Sequence, residues 1–370
     1  MPRATGLELG ALASALIFVA GCGPETIIRH QFVSAPHAVG CAPSDCGDPR
    51  DQVAVTYLGI SGILVEHDGH ALLTAPFFSN PPLMDWRPGV LRWLIGRPIA
   101  PDTAVIERLL PRSTDRASVI LVGHGHYDHL LDVPYIATHR AKSAIIFGGP
   151  SIRHMLMGDA MLRSRSDRLR PIPTDSAGDS EHDGAWYYSP DSAFRFMALI
   201  ADHAPTVKIG GWPYTFAEGR VSRDLDTLPK MADDWKLGEP YAFLIDVLSE
   251  KPRRTIFRIY FEDAPSKPPL GFPSPRLLAA GTVDLAVLCA ATSANVKAAP
   301  DSLLSVLQPK GVMVTHWESF FRPATRPPRL SRATDMHLFV RSLRRSLQPR
   351  AGWVMPLPGQ TVRFRPRDRS

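Results

Sequence analysis

The stretch His124-Gly125-His126-Tyr127-Asp128-His129 sets three imidazoles and one carboxylate within six residues. It follows an apolar run, 117–123, and precedes a helix-like segment, 130–140. Imidazole is a ligand for Zn²⁺, Fe and Mn²⁺, and burying such groups unpaired would cost on the order of several kcal/mol. Alternating residues of an extended or tightly turned segment project to opposite sides. One loop of this length can therefore serve two metals, with His124 and His126 facing one and Asp128 and His129 facing the other.

Each metal then needs further ligands, and strand ends elsewhere supply them. His203 follows the apolar run 194–200 in Ile-Ala-Asp-His-Ala-Pro, Asp263 follows 256–261 in Tyr-Phe-Glu-Asp-Ala-Pro, and His316 follows 311–315 in Val-Thr-His-Trp-Glu-Ser-Phe-Phe. Loops beyond strands are where active-site groups converge. Of the thirteen histidines, His30, His37, His67, His70, His139, His154, His182 and His337 have no such context.

Strand-like runs at 53–58, 62–66 and 70–74, separated by turn residues, predict a β-meander. Further runs at 118–122, 144–147, 194–200, 241–248, 255–261, 283–288 and 312–315 alternate with helix-like segments, which predicts an α/β architecture with large mixed sheets. Met336, Phe339, Val340, Leu343 and Leu347 fall at helical spacing with Arg341, Arg344 and Arg345 opposite them. A last pair of strands, 352–355 and 360–364, is expected to close the domain. The Pro-rich segment 79–102, with Trp86, Leu91, Trp93, Leu94 and Ile95, reads as a loop flanking a pocket.

The chain has 370 residues, of which 44% are apolar, ample for a core. Arg3 precedes an apolar run, 9–19, that ends in Val19-Ala20-Gly21-Cys22. This run is too short to span a bilayer and has the form of an export signal. The ending resembles a bacterial lipobox, which implies a signal peptide at 1–21, lipidation of Cys22, a flexible tether at 22–50 and one domain at 51–366. Gly23 in place of Asp implies, in a Gram-negative host, a lipid anchor in the cell envelope on the periplasmic face of the outer membrane.

Export implies an oxidising compartment, in which Cys41 and Cys46 can close a small loop, whereas Cys289 in an apolar run reads as a buried free thiol. The net charge of +6 is local: 322–370 carries twelve Arg against Asp335 and Asp368, leaving the preceding part at −4. That distribution argues against a general nucleic-acid surface and for one basic face, read as solvated.

Taken in order, the HGHYDH run and the later His, Asp and His resemble the HxHxDH pattern of the metallo-β-lactamase fold superfamily of hydrolases. Within it, Tyr-Leu-Gly-Ile-Ser-Gly-Ile-Leu-Val-Glu (57–66), Leu-Leu-Thr-Ala-Pro-Phe-Phe-Ser (72–79) and Thr-His-Trp-Glu-Ser-Phe (315–320) are similar to the branch containing N-acyl phosphatidylethanolamine phospholipase D. The resemblance implies a four-layer αββα sandwich with two mixed β-sheets. It implies that His124, His126 and His203 bind one metal, that Asp128, His129 and His316 bind a second, and that Asp263 bridges both. Two divalent ions, Zn in the first instance with Mn or Fe as alternatives, would act through a bridging hydroxide that Asp128 orients.

Two departures from the branch stand out. Ala75 replaces the usual Asp of Thr-Asp-Pro, removing a carboxylate that would orient a ligand. Glu262-Asp263-Ala264-Pro265 replaces Gly-Asp-Thr-Gly; the register favours Asp263 over Glu262 as the ligand.

The expected function is an exported, membrane-tethered dinuclear metal-dependent hydrolase of a phosphodiester or ester, with a small-molecule or lipid-like substrate. An iron-dependent redox enzyme and a non-catalytic metal-binding lipoprotein are the alternatives. No Gly-x-Ser-x-Gly elbow is present. Only 59 residues separate His203 from Asp263, too few for the inserted domain of RNA-cutting members, and no nucleic acid is expected as a partner.

Overall fold

Side chains alternate across the first three strands, β1 (Val53–Gly59), β2 (Gly62–His67) and β3 (His70–Thr74). Val53, Val55, Tyr57, Ile63, Val65 and Leu72 enter one apolar cluster, while Leu58, Leu64, Ala71 and Leu73 enter another. A period of two sends neighbours to opposite faces, so both faces of this sheet are buried, with different partners. The protein is seen here as a computed structural model that describes residues 39–42, 45–81, 98–209, 212–251, 253–332 and 334–367. The expected signal peptide, Cys22 and the aromatic and apolar residues Trp86 to Ile95 lie outside these residues.

The first sheet continues through β4 (Ala117–Leu121), β5 (Ile145–Gly148) and β6 (Leu169–Pro171), and its other edge is β16 (Thr361–Phe364). The order is β16-β1-β2-β3-β4-β5-β6, antiparallel from β16 to β3 and parallel from β3 to β6. The second sheet is built from β7 (Tyr187–Tyr188), β8 (Phe194–Ile200), β11 (Tyr241–Leu248), β12 (Thr255–Phe261), β13 (Leu285–Cys289), β14 (Gly311–Thr315) and β15 (Gly352–Val354). Its order is β15-β14-β13-β12-β11-β8-β7, and it too is mixed. A separate hairpin, β9 (Val207–Ile209) with β10 (Trp212–Tyr214), stands just after His203.

One cluster fills the space between the sheets and reaches the helices Asp301–Leu307 and Met336–Ser346 through Leu303, Leu304, Phe339 and Leu343. The other joins the outer side of the first sheet to the helices Thr103–Leu109, Val133–His139 and Pro150–Leu156 through Ile106, Ile136 and Ile152. The result is helix, sheet, sheet, helix: the αββα sandwich with two mixed sheets that the sequence implied.

Two expectations are revised and one is sharpened. The last two strands are present as expected, but they join different sheets. β15 extends the second sheet beside β14 and β16 extends the first beside β1, so the C-terminal chain ties the sheets together. The segment 130–140 is not one helix: a turn of helix at Tyr127–Leu130 stops, and Val133–His139 begins anew after Asp132 with Pro134 in its first turn, where a missing N–H costs nothing. The described part of the stretch expected as tether lies against the domain. The Cys41 N–H donates to Arg363 O at 2.9 Å, and Cys41 and Cys46 form a disulfide, with Cys46 buried. Cys289 is a buried free thiol, as expected.

Candidate metal centre

Beyond β4 the chain enters the HGHYDH run with two glycines packed too tightly for any side chain. A Cβ on Gly123 would lie 2.3 Å from Asp263 Cβ, and one on Gly125 would lie 2.3 Å from Lys236 O. His126 is extended (φ −61°, ψ 151°), and the helical turn Tyr127–Leu130 begins immediately after it. This switch from extended to helical backbone, rather than strand-like alternation, separates His124 and His126 from Asp128 and His129.

The distant residues arrive from the ends of three other strands. His203 follows β8, Asp263 follows β12 and His316 follows β14, so both sheets contribute to one end of the sandwich. Three groups of potential ligand atoms form there, each with its atoms within 4.8 Å of one another: His124 with His126 and His203, Asp128 with His129 and His316, and His124 with His129 and Asp263. All seven residues named from the sequence therefore converge. Asp263 spans the two triads, with Oδ2 2.8 Å from His124 Nδ1 and Oδ1 2.9 Å from His129 Nδ1. In the second triad, Asp128 Oδ2 lies 3.5 Å from His129 Nε2 and 3.3 Å from His316 Nε2. Glu262 is in none of these groups.

Six of the seven side chains are buried, His203 being the most accessible. His124 Nε2 and His126 Nε2 are buried with no hydrogen-bond partner, an arrangement that is costly unless something electrophilic is accommodated there. Nitrogen and carboxylate donors in this proportion fit Zn²⁺, Fe or Mn²⁺. The His203 ring is fixed from behind, with Nδ1 2.7 Å from Ala204 O, the second contact a bound histidine usually makes.

Electrostatics divide the site. Burial and the His129 charge push the His124 imidazole below its ordinary range, burial and His124 push His126 well below it, and burial takes His203 down to about 3. The first triad is thus neutral and open to a cation. His129 is the exception: burial opposes its charge, but Asp263 and Asp128 outweigh that and raise it to about 10. Asp128 and Asp263 stay far below the usual carboxylate range because, against the penalty of burial, they face these imidazoles.

Other residues shape the site without having stood out in the sequence. Ser61 Oγ donates to Asp263 O at 3.1 Å, from the turn between β1 and β2. Asp132, buried and raised to about 6 by that burial, accepts from the Phe78 and Ser79 N–H groups and from Ser79 Oγ, tying the segment after β3 to the helix that follows the HGHYDH run. Phe216 lies 6.4 Å from the His126 ring and Phe320 5.4 Å from the His316 ring. Each is a local residue type without a spacing pattern, so only the fold reveals its position. Ala75 is fully buried at φ +23° and supplies a methyl group where the resemblance expects a carboxylate.

No family model matches this sequence, and no curated protein matches it. Solved structures are similar to it in shape. A metallo hydrolase from Ignicoccus hospitalis, Igni18, is 15% identical with a TM-score of 0.45, over 85% of this chain and 98% of that one. The diiron β-hydroxylase CmlA from Streptomyces venezuelae is 17% identical with a TM-score of 0.44, over 86% of this chain and 55% of that one. The metallo-β-lactamase fold protein YhfI from Bacillus subtilis is 11% identical with a TM-score of 0.44, over 85% of this chain and 99% of that one.

Proposed function

We propose that this protein is a metal-dependent hydrolase whose His and Asp side chains hold two divalent cations. The observation that carries this reading is the pair of ligand triads spanned by one carboxylate, Asp263. When bound, two such cations polarise a substrate oxygen and lower the pKa of a water molecule towards neutrality. His124, His126 and His203 would hold one, Asp128, His129 and His316 the other, with Asp263 reaching both. Asp128 keeps a charged carboxylate beside His129 and His316, where, besides its place in the second triad, it would accept a hydrogen bond from the attacking water and so orient it. Low accessibility of the ligands excludes bulk water, which strengthens each charge interaction in the site.

The substrate is a phosphodiester or ester carrying an apolar group. Phe216 and Phe320 support this, since they place aromatic surface beside each triad. The similarity to the phospholipase D-containing branch points the same way. The chain is exported and lipid-anchored through Cys22; the signal-like 1–22 segment supports this, as does the Cys41–Cys46 disulfide, a bond typical of oxidising compartments. No described helix is long and apolar enough to cross a membrane.

Metal analysis coupled to a panel of phosphodiesters and carboxylic esters tests the proposal. Two ions per chain are expected, with hydrolysis lost in His126→Ala. Fewer than one ion per chain after reconstitution, together with unchanged uptake in Asp263→Ala, would overturn it. Iron as the native metal, with substrate oxidation and no hydrolysis, would replace hydrolysis by redox chemistry on the same donors.

A further inference from the structure

His316 differs from His124, His129 and His203 in how it is held. His124, His129 and His203 each have Nδ1 against a carboxylate or carbonyl oxygen, which aims the ring. The His316 Nδ1 is buried without a hydrogen-bond partner. Its ring must be aimed through the backbone, and that backbone is in the left-handed region, at φ +52°. A non-glycine residue stays there only when its surroundings over-determine the conformation.

The surroundings are a buried polar cluster under the β1–β2 turn. The His316 N–H donates to Ile60 O at 2.7 Å and lies 3.1 Å from Tyr57 Oη. Tyr57 Oη donates to Glu318 Oε2 at 2.5 Å, and Glu318 Oε1 accepts the Ile60 N–H at 2.9 Å. Tyr57 is fully buried and Glu318 nearly so. The chain on either side is fixed as well: Trp317 Nε1 donates to Pro356 O at 3.1 Å, and Glu318 bridges to Leu330. Packing alone does not require a carboxylate at position 318, because burying one carries a desolvation penalty that an apolar side chain avoids.

We propose that Tyr57 and Glu318 are positioning residues for the second metal, clamping the His316 backbone so that Nε2 faces Asp128. The clamp rests on the two-metal reading, and it acts on one triad only. The first triad has no member in the cluster.

The test is titration of the metal-free full chain with Zn²⁺, followed by calorimetry, and with Co²⁺, followed by visible absorption, for the wild type, Tyr57→Phe and Glu318→Gln. In both variants the first ion is expected to bind as in the wild type. The second is expected to bind about 10 to 100-fold more weakly, the usual consequence of losing an outer contact to a ligand. A merely structural role would weaken both ions together. Circular dichroism of the metal-free chains identifies a variant that fails to fold, and Tyr57→Phe, which removes a single oxygen, then carries the test. Unchanged affinity for the second ion, or equal loss of both, overturns the clamp. A wild-type chain that takes up a single ion overturns the two-metal reading itself.

Discussion

His129 and His203 show how far one fold can separate two identical side chains. His203, without a carboxylate against its ring, is driven down to about 3 by burial, while His129, between Asp263 and Asp128, is raised to about 10. The sign of each effect fixes the behaviour of the metal-free protein. For His129 the raised value contributes stability below the unfolded pKa of about 6.5, and that contribution is lost as pH rises through about 10. For His203 the depressed value costs stability as pH falls from about 6.5 towards about 3. Metal ligands must be deprotonated, so at pH 7 an ion entering the first triad displaces no proton from His203, whereas one entering the second must displace the His129 proton. Calorimetric Zn²⁺ titrations in buffers of differing ionisation enthalpy should therefore show release of about one proton or more per chain. Release of none would contradict the charged His129. The sequence made the ligands legible because four of them lie in one six-residue run. It could not show which would be charged, because that depends on Asp263, 134 positions from His129.

Strands position these residues through their ends rather than their faces, and the helical turn after β4 carries Asp128 and His129. β4, β8, β12 and β14 each stop just before a ligand, and their direction brings the ends together. Helices on the outside stabilise the sheets without touching the chemistry. In the helix Met336–Ser346, Leu343 is fully buried against the second sheet and Asp335 caps the N-terminus by accepting the Leu338 N–H at 2.9 Å. Leu343→Ala should cost about 2 to 5 kcal/mol, measured by denaturant unfolding, and leave the number of bound metals unchanged. Loss of a metal ion in that variant would mean that this helix reaches the site. The amphipathic spacing of this helix was readable, since a period of 3.6 needs no tertiary information. The break at 131–132 had a signal as well, since Pro134 is the fifth residue of 130–140, past the first turn, where its ring and missing N–H break a continuous helix.

At the scale of the molecule, the two sheets meet twice: through the core between them, and at the metal centre, where His124, His126, Asp128 and His129 come from the first sheet and His203, Asp263 and His316 from the second. Bound ions would join the layers, so chelation should lower the melting temperature of the whole domain. The loss follows mass action, about 2.7 kcal/mol for a ligand at a hundred times its Kd. A melting curve indifferent to chelator would show that the ions do not couple the sheets. The sequence by itself determined the donors, the strand runs and the α/β class, because metal chemistry and residue periodicity are local and survive without a fold. Tertiary structure alone decided which strands became edges, with 352–354 and 361–364 sent to different sheets, since register depends on partners far along the chain. It also decided that Tyr57 and Glu318, 261 positions apart, meet beneath His316. A buried hydrogen bond has no signature in sequence; it exists only where folding removes the competing water.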